Sequence, residues 1–300
     1  MSSIENNSLT NRTIEVFKRE DSPRHISQAW SRHTFALNAA GDRIFKIYDA
    51  HFLREYRNEL HVLRSAQRVK LIPSVFGDGK LGDGRYYIEM QKLPGVCLRE
   101  FFANLDLTEK HRCLANLVFW RAQLAELEIQ ANVTLRGTYT QASRLSWATS
   151  RLPNVVSGDR DLAATCYQYA TKCLSDDRAE PLALVHRDFS LRNILAERKD
   201  GGSVTLTAVL DFEHAFVGSP TSDIADLIIE DFPATPEFAV ALIEAWRADS
   251  PTLISKDWIV GAIGISLLLG LVTGDKCELR KRRRAVATRQ VLEWLKDFSS

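Results

Sequence analysis

The stretch Leu184-Val185-His186-Arg187-Asp188-Phe189-Ser190-Leu191-Arg192-Asn193-Ile194-Leu195, followed by Val209-Leu210-Asp211-Phe212-Glu213, decides how the chain is read. Phosphoryl transfer asks little covalent chemistry of a protein. The site must orient a hydroxyl, hold Mg²⁺ on the phosphates and neutralise charge as the transferring group separates. An Asp, an Asn and a second Asp converging on one cleft meet that demand. Asp188 and Asn193 lie on one short loop behind an apolar strand expected over Pro181 to Val185, and Asp211 ends a second β-branched run, Ser203 to Leu210. Between them Lys199-Asp200-Gly201-Gly202 supplies residues that tolerate positive φ, so an antiparallel hairpin would bring Asn193 and Asp211 to one end. The pattern His-x-Asp-x-x-x-x-Asn alone should arise in roughly one random chain in a hundred of this length. A strand ending in Asp-Phe behind it makes coincidence much rarer.

With these residues quoted, the chain resembles the protein-kinase-like superfamily, and within it the aminoglycoside phosphotransferase and choline kinase branch of small-molecule kinases. The resemblance runs from about Ile26 to the end, and its specific part is the catalytic stretch. It implies an α+β, bilobal protein-kinase-like fold, with a small β-rich nucleotide-binding N-lobe over 1–95 and a larger, mostly helical C-lobe over 96–300. It also implies that Asp188 is the catalytic base, that Asn193 and Asp211 bind Mg²⁺, and that His186 orients the loop. Downstream, Asp211-Phe212-Glu213, Gly218-Ser219-Pro220 and Asp223-Ile224-Ala225 look like the pattern of the same branch. Only twelve positions separate Asp211 from Asp223. Protein kinases dock peptides on a longer segment ending in Ala-Pro-Glu, which is missing, so a peptide acceptor is disfavoured. Asp223 would be a buried structural carboxylate opening the helix Ile224 to Ile229, not a catalytic one.

Upstream, Arg43-Ile44-Phe45-Lys46-Ile47-Tyr48 alternates as a strand, and Lys46 is the candidate for the α- and β-phosphates. Its partner would be Glu59 on a helix over Phe52 to Ala66, where Leu53, Tyr56, Leu60 and Leu63 recur at helical spacing. Glu55, one turn earlier, competes for that place. The preceding turn, Ser27-Gln28-Ala29-Trp30-Ser31-Arg32-His33-Thr34-Phe35, has no glycine, unlike the Gly-x-Gly-x-x-Gly loop of protein kinases. Ser31 and Arg32 are the candidates for phosphate contact there. Gln91-Lys92-Leu93-Pro94-Gly95 resembles the family's hinge, where backbone groups near Gln91 and Leu93 would bind the purine of ATP or GTP.

Length and a 45% apolar composition suffice for a substantial core around one cleft. Five scattered cysteines without metal-ligand spacing suit a reducing cytoplasm. The polar start, Met1 to Arg12, does not read as a signal peptide. The uncharged run Trp258 to Gly274 reads as a buried helix, slightly short of a membrane span. Net charge near zero speaks against general nucleic-acid binding. Its distribution is uneven, with eleven acidic residues against three basic ones between Phe212 and Leu279. Such a wall would attract an amine-bearing acceptor, with Glu213, Glu230, Asp231 and Glu237 as contacts. Arg280 to Arg284 then precede an amphipathic helix over Ala285 to Phe298, with Val286, Val291, Leu292 and Leu295 inward. That basic run is a candidate for peripheral contact with anionic lipid.

The leading expectation is therefore a kinase for a small, amino-bearing acceptor. A sugar or lipopolysaccharide-core kinase and a nucleotide-free pseudokinase are the alternatives.

Overall fold

The computed structural model describes residues 34–38, 40–66, 69–127, 138–172, 182–199, 203–249, 255–273 and 278–299. The alternating run around Lys46 forms β2 (Arg43–Tyr48) of a four-stranded antiparallel sheet, with β1 (Thr34–Leu37), β3 (Val75–Lys80) and β4 (Tyr86–Gln91). The strands lie in the order β1-β2-β4-β3, so β2 is paired on both edges and Lys46 stands opposite Ile88. Helix α1 (Leu53–Ser65), within a residue of its expected bounds, buries Tyr56, Leu60, Val62 and Leu63 in the same apolar cluster as Ile88 and Met90 of β4. Burying such side chains stabilises by about 1.5–3 kcal/mol each, more than the marginal propensity of so short a helix supplies.

Gly95 carries the chain out of this sheet with φ 113°. A β-carbon there would lie 2.7 Å from Thr207 Oγ1 and 2.8 Å from the Ala196 carbonyl oxygen, so the crossing is flush against the hairpin that follows. The rest of the chain comprises β5 (Val96–Cys97), α2 (Leu98–Phe102), α3 (Leu107–Ala125), β6 (Thr138–Tyr139), α4 (Gln141–Thr149), α5 (Arg160–Ala170), β7 (Ala183–Val185), β8 (Ile194–Arg198), β9 (Val204–Val209), β10 (Phe216–Gly218), α6 (Thr221–Asp231), α7 (Pro236–Asp249), α8 (Lys256–Val272) and α9 (Glu278–Ser299). The expected hairpin is β8–β9, antiparallel, with Ile194 opposite Val209 and a bulge between Leu195 and Ala196. Two further three-stranded sheets run in the orders β5-β8-β9 and β6-β10-β7.

Thirteen of the seventeen residues of α8 are buried, as the uncharged run led us to expect. Gly264 lets α8 approach α5, because a β-carbon would meet the backbone nitrogen of Ala170 at 2.5 Å. No helix among the described residues is long and apolar enough to cross a membrane. The last helix departs from expectation in two ways. It begins at Glu278, so Arg280 to Arg284 lie within its first turns rather than ahead of it. Val286 is 50% exposed, whereas Ala285, Thr288, Val291, Leu292 and Leu295 are buried. Residue 286 falls about 100° of helical arc from 285, off the stripe that 288, 291, 292 and 295 continue. Cys97, Cys113 and Cys166 are free thiols, and burial pushes Cys113 up to about 11 and Cys166 up to about 12, which keeps both unreactive. Cys173 and Cys277 lie outside the described residues.

Candidate active site

The loop bearing Asp188 leaves β7 and is pinned at both ends by α6. Asp223, near the start of that helix, accepts the backbone N–H of His186 through Oδ2 and that of Arg187 through Oδ1, both at 2.9 Å. Asp231, at its other end, accepts the Leu191 N–H through Oδ2 at 2.8 Å. Asp223 is fully buried against Arg121, whose Nε lies 2.8 Å away and whose Nη2 donates to the Leu184 carbonyl. Within the loop, His186 Nδ1 accepts the Asp188 N–H at 3.2 Å, which leaves Nε2 to carry the proton and donate to the Leu210 carbonyl at 2.8 Å. A neutral imidazole thus ties the loop bearing Asp188 to the strand end bearing Asp211. Arg187 takes a left-handed backbone, φ 72°.

Asp188 and Asn193 are bonded side chain to side chain. Asn193 Nδ2 donates to Asp188 Oδ2 at 2.9 Å and to its carbonyl at 2.8 Å, so Oδ1 of Asn193 is the acceptor left for a cation. Arg192 donates through Nη2 to Asp188 Oδ1 and lies 3.7 Å from Glu230. Leu210 N–H bonds the Asn193 carbonyl at 2.8 Å, bringing the second carboxylate next to the first loop. Among the described residues, Asp211 is the other non-glycine residue with positive φ, at 71°. Such a backbone costs on the order of 1 kcal/mol or more and persists only where surrounding bonds over-determine it.

Lys46 lies 2.6 Å from Glu59, 2.6 Å from Asp211 and 3.2 Å from Glu213, and the Tyr48 hydroxyl also donates to Glu59. The pairing falls to Glu59 and not to Glu55 one turn earlier. Burial opposes the charge of Lys46, but Asp211 and Glu59 hold its ammonium well above the ordinary lysine range. The ligand oxygens of Glu59, Asp211 and Glu213 come within 4.8 Å of one another around that single ammonium. This excess of negative charge on oxygen is a donor set of the kind that suits Mg²⁺.

Other expected residues are placed differently. Glu213 is turned onto Lys46 instead of toward an acceptor. Asp231 is 3% exposed in its side chain and bonded to Arg99 as well as Leu191, so it holds the loop. Glu230 and Glu237 are exposed. Gln91 gives its N–H to the Ser74 carbonyl at 2.8 Å, and Leu93 sits half-buried beyond it. Ser31 and Arg32 lie outside the described residues. Three contributors were not foreseen: Arg121, Arg192 and Asn58. Asn58 Nδ2 reaches from α1 to the carbonyls of Phe212, Glu213 and Ala215 at 3.3, 3.1 and 2.9 Å, fixing the turn behind Asp211. The only trace of it in sequence is a polar residue beside the apolar stripe of a helix.

Residues 23–254 match the sequence profile of the phosphotransferase enzyme family. The chain belongs to that family. Its fold is protein-kinase-like, as in solved aminoglycoside phosphotransferases. A Pseudomonas putida N-acetylmuramate/N-acetylglucosamine kinase is 33% identical over 90 residues, 30% of this chain but 24% of that protein. Among solved structures, the GDP complex of wild-type aminoglycoside 2'-phosphotransferase-IIIa superposes with a TM-score of 0.68 at 16% identity, covering 98% of this chain and 99% of that one. A thermostable mutant of aminoglycoside phosphotransferase APH(4)-Ia, in ternary complex with AMP-PNP and hygromycin B, gives 0.60 at 19% identity over 94% and 98%. At these identities the likeness of the two structures shows the fold.

Proposed function

We propose that this phosphotransferase moves the γ-phosphate of ATP or GTP to a hydroxyl of a small molecule, the acceptor being a sugar or sugar derivative. The observation that carries the reading is that two bonded pairs, Asp188 with Asn193 and Asp211 with Lys46, are tied together by the Leu210 N–H on the Asn193 carbonyl. Asp188 takes the hydroxyl proton as the oxygen–phosphorus bond forms and the nucleoside diphosphate departs. Its two oxygens each accept one bond in the network and retain a lone pair for the incoming hydroxyl. Asn193 and Asp211 would hold Mg²⁺, which supplies charge to the phosphate oxygens when bound. Lys46, set by Glu59, meets the α- and β-phosphates from the N-lobe, residues 1–95, while 96–300 provide the loop and the acceptor wall. With the Gln91 N–H committed to Ser74, the remaining backbone groups around Leu93 are the hinge contacts for the purine. The free thiols suit work in a reducing cytoplasm.

An acceptor recognised chiefly through an amine is the second reading. Exposed Glu230 and Glu237 favour it, and two of the solved relatives are described with kanamycin and hygromycin B. The sugar reading is preferred because Glu213 and Asp231 are turned inward and a curated relative is a sugar kinase. ³¹P NMR of ATP or GTP with Mg²⁺ and panels of sugars, aminoglycosides and amino alcohols, with Asp188→Ala as blank, tests it. A new phosphomonoester resonance with the wild type alone is the expected result. Turnover by the variant would remove Asp188 from its role.

A further inference from the structure

We infer that the acceptor carries an anionic oxygen group, a carboxylate or phosphate, and that Arg187 is the residue that selects it. The inference rests on the sugar-kinase reading above and narrows it.

Arg187 stands immediately before the base. Arg187 is an exposed residue whose backbone is left-handed and whose N–H is bonded to Asp223. Glycine would adopt that conformation without the steric penalty, so the backbone gains nothing from an arginine there. What the position offers is the side chain. The other arginines around the loop are committed: Arg192 to Asp188, Arg99 to Asp231 and Arg121 to Asp223. No carboxylate among the described residues lies within ion-pair distance of Arg187. The acid that feels its charge is Asp226, one turn into α6, and the buried Arg144 acts on Asp226 more strongly than Arg187 does. Asp226 is also hydrogen-bonded to Ser266.

Three of the four acids that would answer an amine are meanwhile engaged: Glu213 is on Lys46, Asp231 is on Arg99, and Glu230 faces Arg192, which leaves Glu237 exposed on α7. The residue directly before Asp188 is a cation with no such engagement among the described residues. A guanidinium forks onto carboxylate or phosphate oxygens with two parallel bonds, a geometry an ammonium cannot copy. Arg187 directly precedes Asp188 in the chain, and the acceptor's anionic group would meet that fork while its hydroxyl meets the base.

The test uses matched acceptors with the full chain, Mg²⁺ and ATP: N-acetylglucosamine against N-acetylmuramate, which adds a lactyl carboxylate, and glucose against glucuronate, glucose 1-phosphate and glucosamine. The wild type should prefer an anionic member over its neutral partner by about 10- to 100-fold in kcat/KM, the range of a charged hydrogen-bonding partner. The carboxylate and phosphate arms identify which anion it is. Arg187→Gln should collapse that ratio, chiefly through KM of the anionic sugar, and Arg187→Lys should restore part of it. Arg187→Gly, which suits the backbone, keeps the comparison open if glutamine disturbs the loop. Transfer to sugars without a charge preference, a preference for glucosamine, or equal losses on neutral and anionic members in the variants would overturn the inference while leaving the kinase reading intact. No phosphomonoester from any sugar would overturn the sugar reading itself, and this inference with it.

Discussion

Asp188, the proposed base, has its two carboxylate oxygens oriented by two different neighbours, Arg192 and Asn193. Asp188→Ala should reduce transfer by about 10²–10⁴-fold, the usual weight of a positioned base. Nucleotide binding should stay close to wild type in equilibrium titration, since Lys46 and Asp211 are untouched. Arg192→Ala should lower kcat by at least about tenfold with a smaller change in KM for nucleotide, measured in steady state, because it frees one side of the carboxylate without altering the nucleotide end. At this scale the sequence was readable wherever chemistry leaves a motif. Asp188, Asn193, Asp211 and Lys46 stood at recognisable spacings, and helical spacing favoured Glu59 over Glu55 as the partner of Lys46, where the ion pair falls. Asn58 and Arg121 were not readable, since each works through backbone carbonyls or a buried partner far away in sequence.

Helix α6 acts as a bracket. Its two ends, Asp223 and Asp231, grip the two ends of the catalytic loop, while its middle face turns Asp226 and Glu230 toward Arg187 and Arg192. The acidic density of this segment was plain in the sequence, but its meaning was not. Charge alone cannot tell a carboxylate that faces solvent from one that accepts backbone N–H bonds, and Asp231 was read as the former. Asp223→Asn leaves Arg121 buried without a countercharge and should destabilise the fold by about 3–5 kcal/mol, seen as a lower urea midpoint with unchanged slope. Asp231→Asn should cost less stability, since its partner Arg99 is partly exposed. It should nonetheless depress kcat, because the turn before Asn193 loses its charged anchor. A stability loss in Asp231→Asn equal to that of Asp223→Asn would contradict the bracket.

Across the whole molecule, the strand-rich and helical parts are joined at the site itself: Lys46 of β2 touches Asp211, and Asn58 of α1 holds the turn after it. The outline of this arrangement was legible because periodicity and the hairpin turn report local structure. The exposure of Val286 was not, since one valine in a basic helix fits two neighbouring phases. Burial also leaves a signature on how stability should vary with pH. The carboxyl of Asp226 is pushed up to about 6 by burial, against the pull of Arg144 and Arg187, and burial raises those of Glu230 and Asp231 as well. A carboxyl that binds its proton more tightly when folded adds stability that is fully present below its unfolded value, about 3.8–4.3, and is lost as pH rises through the folded value. For Asp226 the window is therefore about pH 4 to 6, and its contribution, discounted for partial solvent access, is about 1–3 kcal/mol. Asp226→Asn should flatten the fall in stability across that window when urea unfolding is followed at successive pH values. Neutralising the group should also raise stability at pH 7 relative to the wild type. If the wild type instead grew more stable from pH 4 to 6 and the variant followed the same course, the carboxyl of Asp226 would be ionised at little cost and the electrostatic account of α6 would need to be redrawn.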